Sequence, residues 1–167
     1  MLHGPARAMD PRPDLASLER PDAAAIARGL MRGLDREGWR CLGEVPLASG
    51  HRADVMALDE TGRVLIAEIK TTLADFRADR KWRAYLDHCD LFAFAVGPGF
   101  PLAVLPAEAG LYVCDPYAAH ALRPPAALQA PLAPARRRQI LIRFARLAAD
   151  RWRRGLADPE DGIDGGR

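Results

Sequence analysis

The stretch VLIAEIKTT, Val64–Thr72, decides the fold of this chain. It starts as an apolar run with the length of a buried β-strand, and it then carries Glu68 and Lys70. Because side chains alternate along a strand, these two charged residues share a face with Val64 and Ile66. The stretch therefore predicts a buried strand that presents two charged groups at its carboxyl end.

A second apolar segment, RADVMAL at residues 52–58, precedes this strand. A short polar segment that contains Gly62 joins the two, and this pattern is typical of a β-hairpin. A short turn pairs the start of the first strand with the end of the second. The hairpin therefore predicts that Asp54 lies near Glu68.

The segment before the hairpin predicts a helix. An apolar residue recurs at every fourth position from Ile26 to Leu34. Asp22 is a suitable N-cap and Gly38 a suitable residue for the helix end. We therefore expect a helix over residues 22–37.

The segments around and after the hairpin predict a mixed sheet flanked by helices. Thr72 opens a capping motif, and a helix is expected from about Leu73 to Asp87. The remaining predictions are strands within 39–47, 91–96 and 111–115, a surface loop with five prolines at 116–134, and an amphipathic helix at 135–156 with the apolar stripe Leu141, Phe144, Ala148 and Trp152. The fold class is therefore predicted to be α/β, with a basic C-terminal helix.

Length and composition indicate one globular domain. The chain has 167 residues, and its apolar fraction of 49% is ordinary for such a domain. We expect a mobile arm at 1–20, a domain at 21–156 and a disordered tail at 157–167. The sequence contains neither an apolar run of membrane-spanning length nor a secretory signal, so we expect a cytoplasmic protein without a membrane partner. Three cysteines, far apart, are predicted to be reduced core residues: Cys41, Cys89 and Cys114.

Basic residues are concentrated near the carboxyl end. Between Arg123 and Arg154 there are nine arginines and one acid, although the net charge of the whole chain is only +2. This layout is typical of a protein that meets a polyanion, and a solvated helix face is the alternative. No motif that reads base sequence is present, so sequence specificity is not predicted. The candidate nucleic-acid contacts on the last helix are Arg136, Arg137 and Arg143.

The residue types near the hairpin end suggest a chemistry. Two carboxylates in an apolar sheet repel each other and are costly to desolvate, and a divalent cation compensates for both effects. Carboxylate oxygens suit Mg²⁺ or Mn²⁺, and Lys70, one of only two lysines, can contact the attacking water or the scissile phosphate. The arrangement predicts metal-assisted phosphodiester hydrolysis. The alternative is a solvent-facing strand end with Asp54 paired to Arg52 or Lys70.

These segments resemble a known family. Asp54 followed by Glu68-Ile69-Lys70 resembles the PD-(D/E)XK nuclease superfamily. RADVMAL, AEIKTTLADFRADRKWRAYLDHCDLFAFAV and GLYVCDP together resemble the MmcB family of bacterial DNA-repair endonucleases over residues 39–117. The resemblance implies a restriction-endonuclease-like fold and a role in DNA repair, with an endonuclease activity inferred largely from the motif.

The resemblance also implies roles for single residues. Asp54 and Glu68 would be metal ligands, with the backbone carbonyl of Ile69 as a third, and Lys70 would be the catalytic lysine. Ala53 stands where the superfamily name has a proline, and this departure removes no metal ligand.

Three further residues are candidates for the site. Glu44, at the end of the first strand, is either an additional metal ligand or an ordinary surface glutamate. Lys81 and Tyr85, one helical turn apart, resemble the Q-x-x-x-Y element with which RecB-like nucleases approach DNA. The alternative is that Lys81 is solvated and Tyr85 packs on the sheet.

The sequence leaves three functions open. The first is a Mg²⁺- or Mn²⁺-dependent endonuclease acting on damaged or structured DNA. The second is a non-catalytic protein that keeps the nuclease fold and binds DNA or acts as a repair scaffold. The third is a metal-dependent nuclease acting on RNA. DNA and other DNA-repair proteins are the expected partners, and a homodimer is left open.

Overall fold

A mixed six-stranded sheet forms the centre of the protein. The structure is a computed structural model that describes residues 21–79 and 81–157. The strands are β1 Arg40–Pro46, β2 Arg52–Leu58, β3 Val64–Lys70, β4 Leu91–Val96, β5 Gly110–Cys114 and β6 Ala119–Arg123. The helices are α1 Ala23–Arg36, α2 Leu73–Ala78 and α3 Pro134–Ala157, with 3₁₀ helices at Trp82–His88 and Leu102–Val104. These elements confirm the predicted α/β class.

The strands lie side by side in chain order. β1, β2 and β3 form an antiparallel meander, whereas β3, β4 and β5 are parallel neighbours. β6 pairs antiparallel with β5 at the other edge. The central strand β3 is buried along its whole length, as its apolar sequence predicts.

The β2–β3 hairpin is formed as predicted. Val55 pairs with Ala67, and the strands run back from a short turn. In that turn the carboxylate of Asp59 accepts a hydrogen bond from the Thr61 N–H at 2.9 Å. Gly62 has φ near +80°, which glycine adopts without a steric cost. The turn therefore fixes the register, and the register decides which side chains meet at the far end of the hairpin.

The two faces of the sheet carry separate hydrophobic cores. On one face, Ile26 and Leu30 of α1 pack with Leu65 of β3. On the other face, Phe144 of α3 packs with Ile66, together with the 3₁₀ helix Trp82–His88. Because side chains alternate along β3, the even-numbered residues that follow Ile66 point to the α3 face.

α1 begins where the sequence predicts and ends within a residue of that prediction. The Asp22 carboxylate accepts a hydrogen bond from the Ala25 N–H at 2.7 Å. Arg36 is the last helical residue, and Gly38 follows with φ near +89°. The capping residues therefore act as expected from their sequence positions.

The single helix predicted from Leu73 to Asp87 is wrong. α2 starts as expected, because the Thr72 hydroxyl accepts a hydrogen bond from the Asp75 N–H at 3.0 Å. The helix then ends after six residues, and Asp79 is extended, with ψ near 97°. Its carboxylate turns toward the sheet and bonds Lys70, a contact that a continuous solvated helix would not make.

The second part of the predicted helix is a 3₁₀ helix instead. Trp82, Tyr85 and His88 recur at every third position, and all three are buried. Side chains three residues apart eclipse in a 3₁₀ helix, so this spacing places all three on one buried face. The spacing of Trp82 and Tyr85 also fits a thin stripe on an α-helix, so the sequence alone does not separate the two kinds of helix.

Residues 116–134 contain a strand that the sequence did not predict. β6 runs antiparallel to β5 at the sheet edge, and most of its side chains are exposed or half-buried. Asp115 forms the preceding turn, with its carboxylate accepting from the Tyr117 and Ala118 N–H groups. An exposed edge strand lacks the apolar pattern that identifies a buried one, so the interpretation of this segment as loop alone is wrong.

α3 confirms the predicted amphipathic helix, with one error in its apolar stripe. Ile140 and Phe144 are buried, but 71% of Trp152 is exposed. At 100° per residue, Trp152 lies about 80° around the helix from Phe144, away from the side that faces the sheet. The arginine-rich faces of the helix remain outward.

Three further predictions concern the cysteines, the membrane and the termini. Cys89 and Cys114 are buried, Cys41 is half-buried, and all three are free thiols. None of the helices described in the structure is long and apolar enough to cross a bilayer. The predicted arm at 1–20 and residues 158–167 of the predicted tail lie outside the described residues.

Candidate active site

Asp54 and Glu68 meet where β2 and β3 separate. Beyond the Val55–Ala67 pair the backbone ladder is replaced by side-chain hydrogen bonds. The Ile69 N–H donates to Asp54 Oδ2 at 2.8 Å, and the Asp54 N–H donates to Glu68 Oε1 at 3.4 Å. Each carboxylate therefore takes the place of a strand-to-strand bond, and the two acids lie side by side as the hairpin register predicts.

Glu68 is a buried acid whose desolvation is only partly compensated by its neighbours. It is 3% exposed and pairs through its backbone with Phe94 of β4. Burial, and next the negative charge of Asp54, raise the pKa of Glu68 to about 8. Burial also raises the pKa of Asp54, although the hydrogen bond from Ile69 opposes this. The pair thus concentrates negative charge in a site that disfavours it.

Lys70 lies beside the two acids and is held by a third. Its Nζ is 3.7 Å from Glu68 Oε2 and 2.6 Å from Asp79 Oδ2. Burial alone would lower the pKa of Lys70, but the hydrogen bond to Asp79 and the charge of Glu68 outweigh it and raise the pKa. Burial alone would raise the pKa of Asp79, but the bond to Lys70 outweighs it and lowers the pKa. Lys70 is therefore a fixed ammonium ion.

Asp79 is a site residue that sequence reasoning missed. Its position one turn after the capping Asp75 suggests a place on a solvated helix face. The signal that could have identified it is the placement of Lys70, since a buried lysine requires a carboxylate partner. That partner becomes visible only once the end of α2 is known.

Tyr85 lies at the site, while the neighbouring Lys81 is exposed to solvent. The Tyr85 hydroxyl donates to the Arg52 carbonyl at 3.2 Å, and its ring stacks on Phe92 with centroids 6.3 Å apart. Burial, and then the charges of the nearby acids Glu68 and Asp54, raise the pKa of Tyr85. This placement matches the alternative in which Tyr85 packs on the sheet and Lys81 is solvated. Their role in DNA contact stays a prediction.

Glu44 lies close to the acids but is otherwise engaged. Its side chain forms an ion pair with Arg52 Nε at 2.5 Å and is 55% exposed. Its backbone has φ near +53°, in the left-handed region that residues with a side chain seldom adopt. The charge of Glu44 contributes to raising the pKa of Asp54, after the effect of burial. The structure thus places Glu44 at the rim of the site.

The three candidate arginines of α3 have different surroundings. Arg137 makes two 2.7 Å hydrogen bonds with the carboxylate of Asp90. Arg136 donates to the Asp87 carbonyl at 2.9 Å, and Arg143 donates to the Pro46 carbonyl at 3.0 Å. Arg137 is therefore neutralised within the protein, whereas Arg136 and Arg143 are exposed and, among the described residues, meet only backbone oxygens.

The acids of the site form a pair rather than a larger cluster. Within residues 21–79 and 81–157, no three side chains from histidine, cysteine, aspartate and glutamate converge as a metal-binding group. Asp54 and Glu68 are adjacent, and the Ile69 backbone lies between them. The arrangement brings together two negative groups and one positive group, which can bind a cation and stabilise charge on an anionic substrate.

The fold and the site define an α/β protein with a half-buried Asp54, a buried Glu68 and a buried lysine at the end of a central strand. The chain belongs to the MmcB-like family, since the family model described as DNA repair protein MmcB-like matches residues 10–159. The family is one of DNA repair proteins.

A solved structure extends this comparison. A protein of unknown function from Silicibacter pomeroyi is 43% identical in sequence, over 83% of this chain and 94% of that chain, with a TM-score of 0.74. The two chains share their fold over most of their lengths. No curated protein is significantly similar in sequence.

Proposed function

We propose that this protein is a divalent-metal-dependent endonuclease that hydrolyses phosphodiester bonds of damaged or structured DNA. The observation that carries the proposal is the convergence of Asp54, Glu68 and Lys70 at one end of β3. Membership in a family of DNA repair proteins supports DNA as the polymer. The resemblance of these residues to the PD-(D/E)XK superfamily belongs to the same proposal.

The two carboxylates fit a Mg²⁺ or Mn²⁺ ion. Burial and Asp54 raise the pKa of Glu68 to about 8 even with the Lys70 ammonium group 3.7 Å away, so the ionised pair is costly without a further cation. Mg²⁺ is commonly held by one or two carboxylates and keeps several waters, so Asp54, Glu68 and the Ile69 carbonyl are a sufficient set of protein ligands. Such an ion supplies an activated water and stabilises charge on the phosphate.

The remaining residues position and enclose the reaction. The Lys70 ammonium group is 3.7 Å from Glu68, so a phosphate oxygen near the acids would also meet a positive charge. A fixed charge of this kind stabilises the negative charge that develops on the phosphate in the transition state. Tyr85 is buried beside the site, where its hydroxyl donates to the Arg52 carbonyl.

One observation favours the non-catalytic alternative. Lys70 is held at 2.6 Å by Asp79 and is 5% exposed, so it meets a substrate only if that hydrogen bond loosens or is shared. A protein that keeps the fold and binds DNA without cutting it would have no need to release the lysine. The two functions differ in whether cleavage occurs at all.

The test is cleavage of single-stranded, duplex and branched DNA, and of RNA, in Mg²⁺ or Mn²⁺. We expect the wild type to cut at least one DNA, and Asp54→Asn and Lys70→Ala to cut about a hundredfold more slowly. Asp35→Asn, in an exposed ion pair with Arg40, is the matched control and is expected to cut at the wild-type rate.

The outcomes separate the functions. Equal cleavage by the wild type and by both site variants would show that these residues do not carry the reaction. Binding without cleavage on every substrate would favour the non-catalytic protein. Cleavage of RNA alone would replace DNA as the substrate.

A further inference from the structure

An open groove of about 1000 Å³ lies between α3 and the rest of the α3 face of the sheet. Its floor is apolar and includes Leu47, Met56, Ile140 and Leu147. Its walls are the turn after β1, the end of the 3₁₀ helix Trp82–His88, and one side of α3. The groove is thus recessed and apolar at its base, with polar groups along the walls.

The groove lies next to the candidate active site. Met56 lies two residues beyond Asp54 on the same face of β2, so the groove floor starts about 7 Å along the strand from the site. His88 follows Tyr85 by one turn of the 3₁₀ helix, and it lines the groove while Tyr85 lies at the site. β2 therefore contributes Asp54 to the site and Met56 to the groove. The 3₁₀ helix contributes Tyr85 to the site and His88 to the groove.

The α3 wall carries positive charge that the protein does not neutralise. Among the described residues, Arg136, Arg143 and Arg146 line the groove and take part in no ion pair with a carboxylate. Two acids also line it, Asp87 and Asp150, and Asp150 lies 4.0 Å from Arg153. Three guanidinium groups against two carboxylates leave an excess positive charge facing the groove.

A histidine in the wall is affected by this charge. His88 is 8% exposed, and burial, followed by the charge of Arg136, lowers its pKa. His88 is therefore neutral near pH 7 and adds a hydrogen-bonding group rather than a further charge. The groove thus combines apolar, cationic and neutral polar contacts within one recess.

We propose that this groove binds a single strand of DNA, with bases on its apolar floor and phosphates on Arg143 and Arg146, and leads it to Asp54. A duplex presents sugars and phosphates outward and keeps its bases stacked inside, so its bases cannot pack against an apolar recess. An unpaired strand offers both base faces and phosphates. The inference rests on the proposed function for DNA as the polymer, and it specifies the single strand as the form bound.

Binding can be measured without cleavage. The Asp54→Asn variant, in the presence of a chelator, is titrated against a fluorescein-labelled thymidine oligonucleotide, its duplex and the matching uridine oligonucleotide, with anisotropy as the readout. Arg146→Ala is expected to weaken binding of the single strand about fivefold and to reduce the salt slope by about 0.7 for each phosphate that is no longer neutralised. Arg138→Ala, on the same helix but outside the groove, is the matched control and should bind as the parent does.

A second pair of variants tests the recess itself. Ala48 and Ala145 are both exposed, but only Ala48 lines the groove. Ala48→Glu is expected to weaken single-strand binding about tenfold by placing a carboxylate in the recess, whereas Ala145→Glu should leave it unchanged. Both positions lie outside the hydrophobic core, so we expect both variants to fold, and a change in binding then reports on the groove.

The outcomes are distinct from those of the cleavage test. Weaker single-strand binding by Arg146→Ala and Ala48→Glu, but not by their controls, supports the inference even if the wild type cuts no substrate. Equal binding by groove and control variants would overturn it, as would tighter binding of the duplex. Preference for the uridine strand would overturn the assignment of the polymer as DNA.

Discussion

At the scale of single residues, the site depends on acids that take over bonds of the sheet. Asp54 and Glu68 each accept a hydrogen bond from the opposite strand, and this keeps the two carboxyl groups adjacent. The sequence could predict their proximity, because it follows from a short turn and a two-residue period. It could not predict Asp79, because the hydrogen bond with Lys70 depends on where α2 ends.

The first prediction concerns the Lys70–Asp79 pair. Asp79→Ala leaves a buried ammonium group with only the more distant Glu68 as partner, so we expect a loss of about 2 kcal/mol in the free energy of unfolding. The measurement is urea denaturation in a chelator. Asp35→Ala removes the acid of the exposed pair with Arg40 and should change stability by no more than about 0.5 kcal/mol. Equal losses of stability from the two substitutions would show that the Lys70–Asp79 pair contributes no more to stability than the exposed Asp35–Arg40 pair.

The second prediction concerns pH. The pKa of Glu68 is about 8 in the folded protein and near 4.5 when the chain is unfolded, so between these values the folded state holds a proton that the unfolded state lacks. Stability is therefore lost as pH rises through this window. Glu68→Gln has no such proton, and we expect it to become more stable relative to the wild type from about pH 5 to 8, with no further change above that range.

A group with the opposite shift provides the control for this measurement. Burial would raise the pKa of Asp59, but the hydrogen bonds from Thr61 and Arg63 outweigh it and lower the pKa to about 2. The stabilising effect of Asp59 is lost only as pH falls toward that value, so Asp59→Asn should run parallel to the wild type between about pH 5 and 8. If the stabilities of the wild type and of Glu68→Gln change in parallel with pH over the same range, in metal-free buffer, then Glu68 is ionised throughout that range in the folded protein.

At the scale of elements, the sequence predicted the helices and strands that have a regular apolar pattern. It missed the features that depend on contacts with a neighbouring element. α1 has a clear apolar period, β3 and β4 are apolar runs, and β2 is paired with β3 by a short turn, and all four were predicted. β6 is an exposed edge strand that exists because β5 offers it hydrogen bonds, so its own residues carry no signal. α2 ends early because the residue that follows it bonds the site rather than continuing the helix.

The third prediction tests how closely α1 approaches the sheet. A Cβ at Gly29 would overlap the Asp115 carbonyl oxygen and lie 2.8 Å from the Ala118 carbonyl oxygen. Because this is backbone, the overlap cannot relax cheaply, and Gly29→Ala should cost about 2 to 3 kcal/mol of stability. Gly155→Ala, on α3 with no described atom within 4 Å, should be neutral or gain up to about 1 kcal/mol. Thermal denaturation distinguishes the two, and similar midpoints would contradict the close approach of α1.

At the scale of the whole molecule, one sheet serves two cores and supports the site. Its central strands contribute side chains to both faces. The sequence predicted the sheet and its flanking helices but not the division of the cores between α1 and α3, which depends on which face each helix meets. The groove also appears only at this scale, because its floor and walls come from segments distant in the chain.

The fourth prediction is cooperative unfolding of both faces. Trp39 lies in the α1 core and Trp82 in the α3 core, whereas Trp152 is exposed. Two variants each keep a single buried tryptophan, Trp39 or Trp82, with the other tryptophans replaced by phenylalanine. In each variant, the urea midpoint from tryptophan fluorescence should equal the midpoint from circular dichroism, which reports the total stability of that variant. A fluorescence midpoint that differs from the circular dichroism midpoint of the same variant would show that the two faces unfold independently.

Calorimetric titration of Mn²⁺ into the wild type, Asp54→Asn and Glu68→Gln, with Asp35→Asn as the matched control, asks whether the carboxylate pair holds a cation. We predict one binding site in the wild type and in Asp35→Asn, and its loss in both site variants, because a single remaining carboxylate is a weak ligand for a divalent ion. Equal binding by all four proteins, or no binding by the wild type, would contradict the assignment of Asp54 and Glu68 as metal ligands.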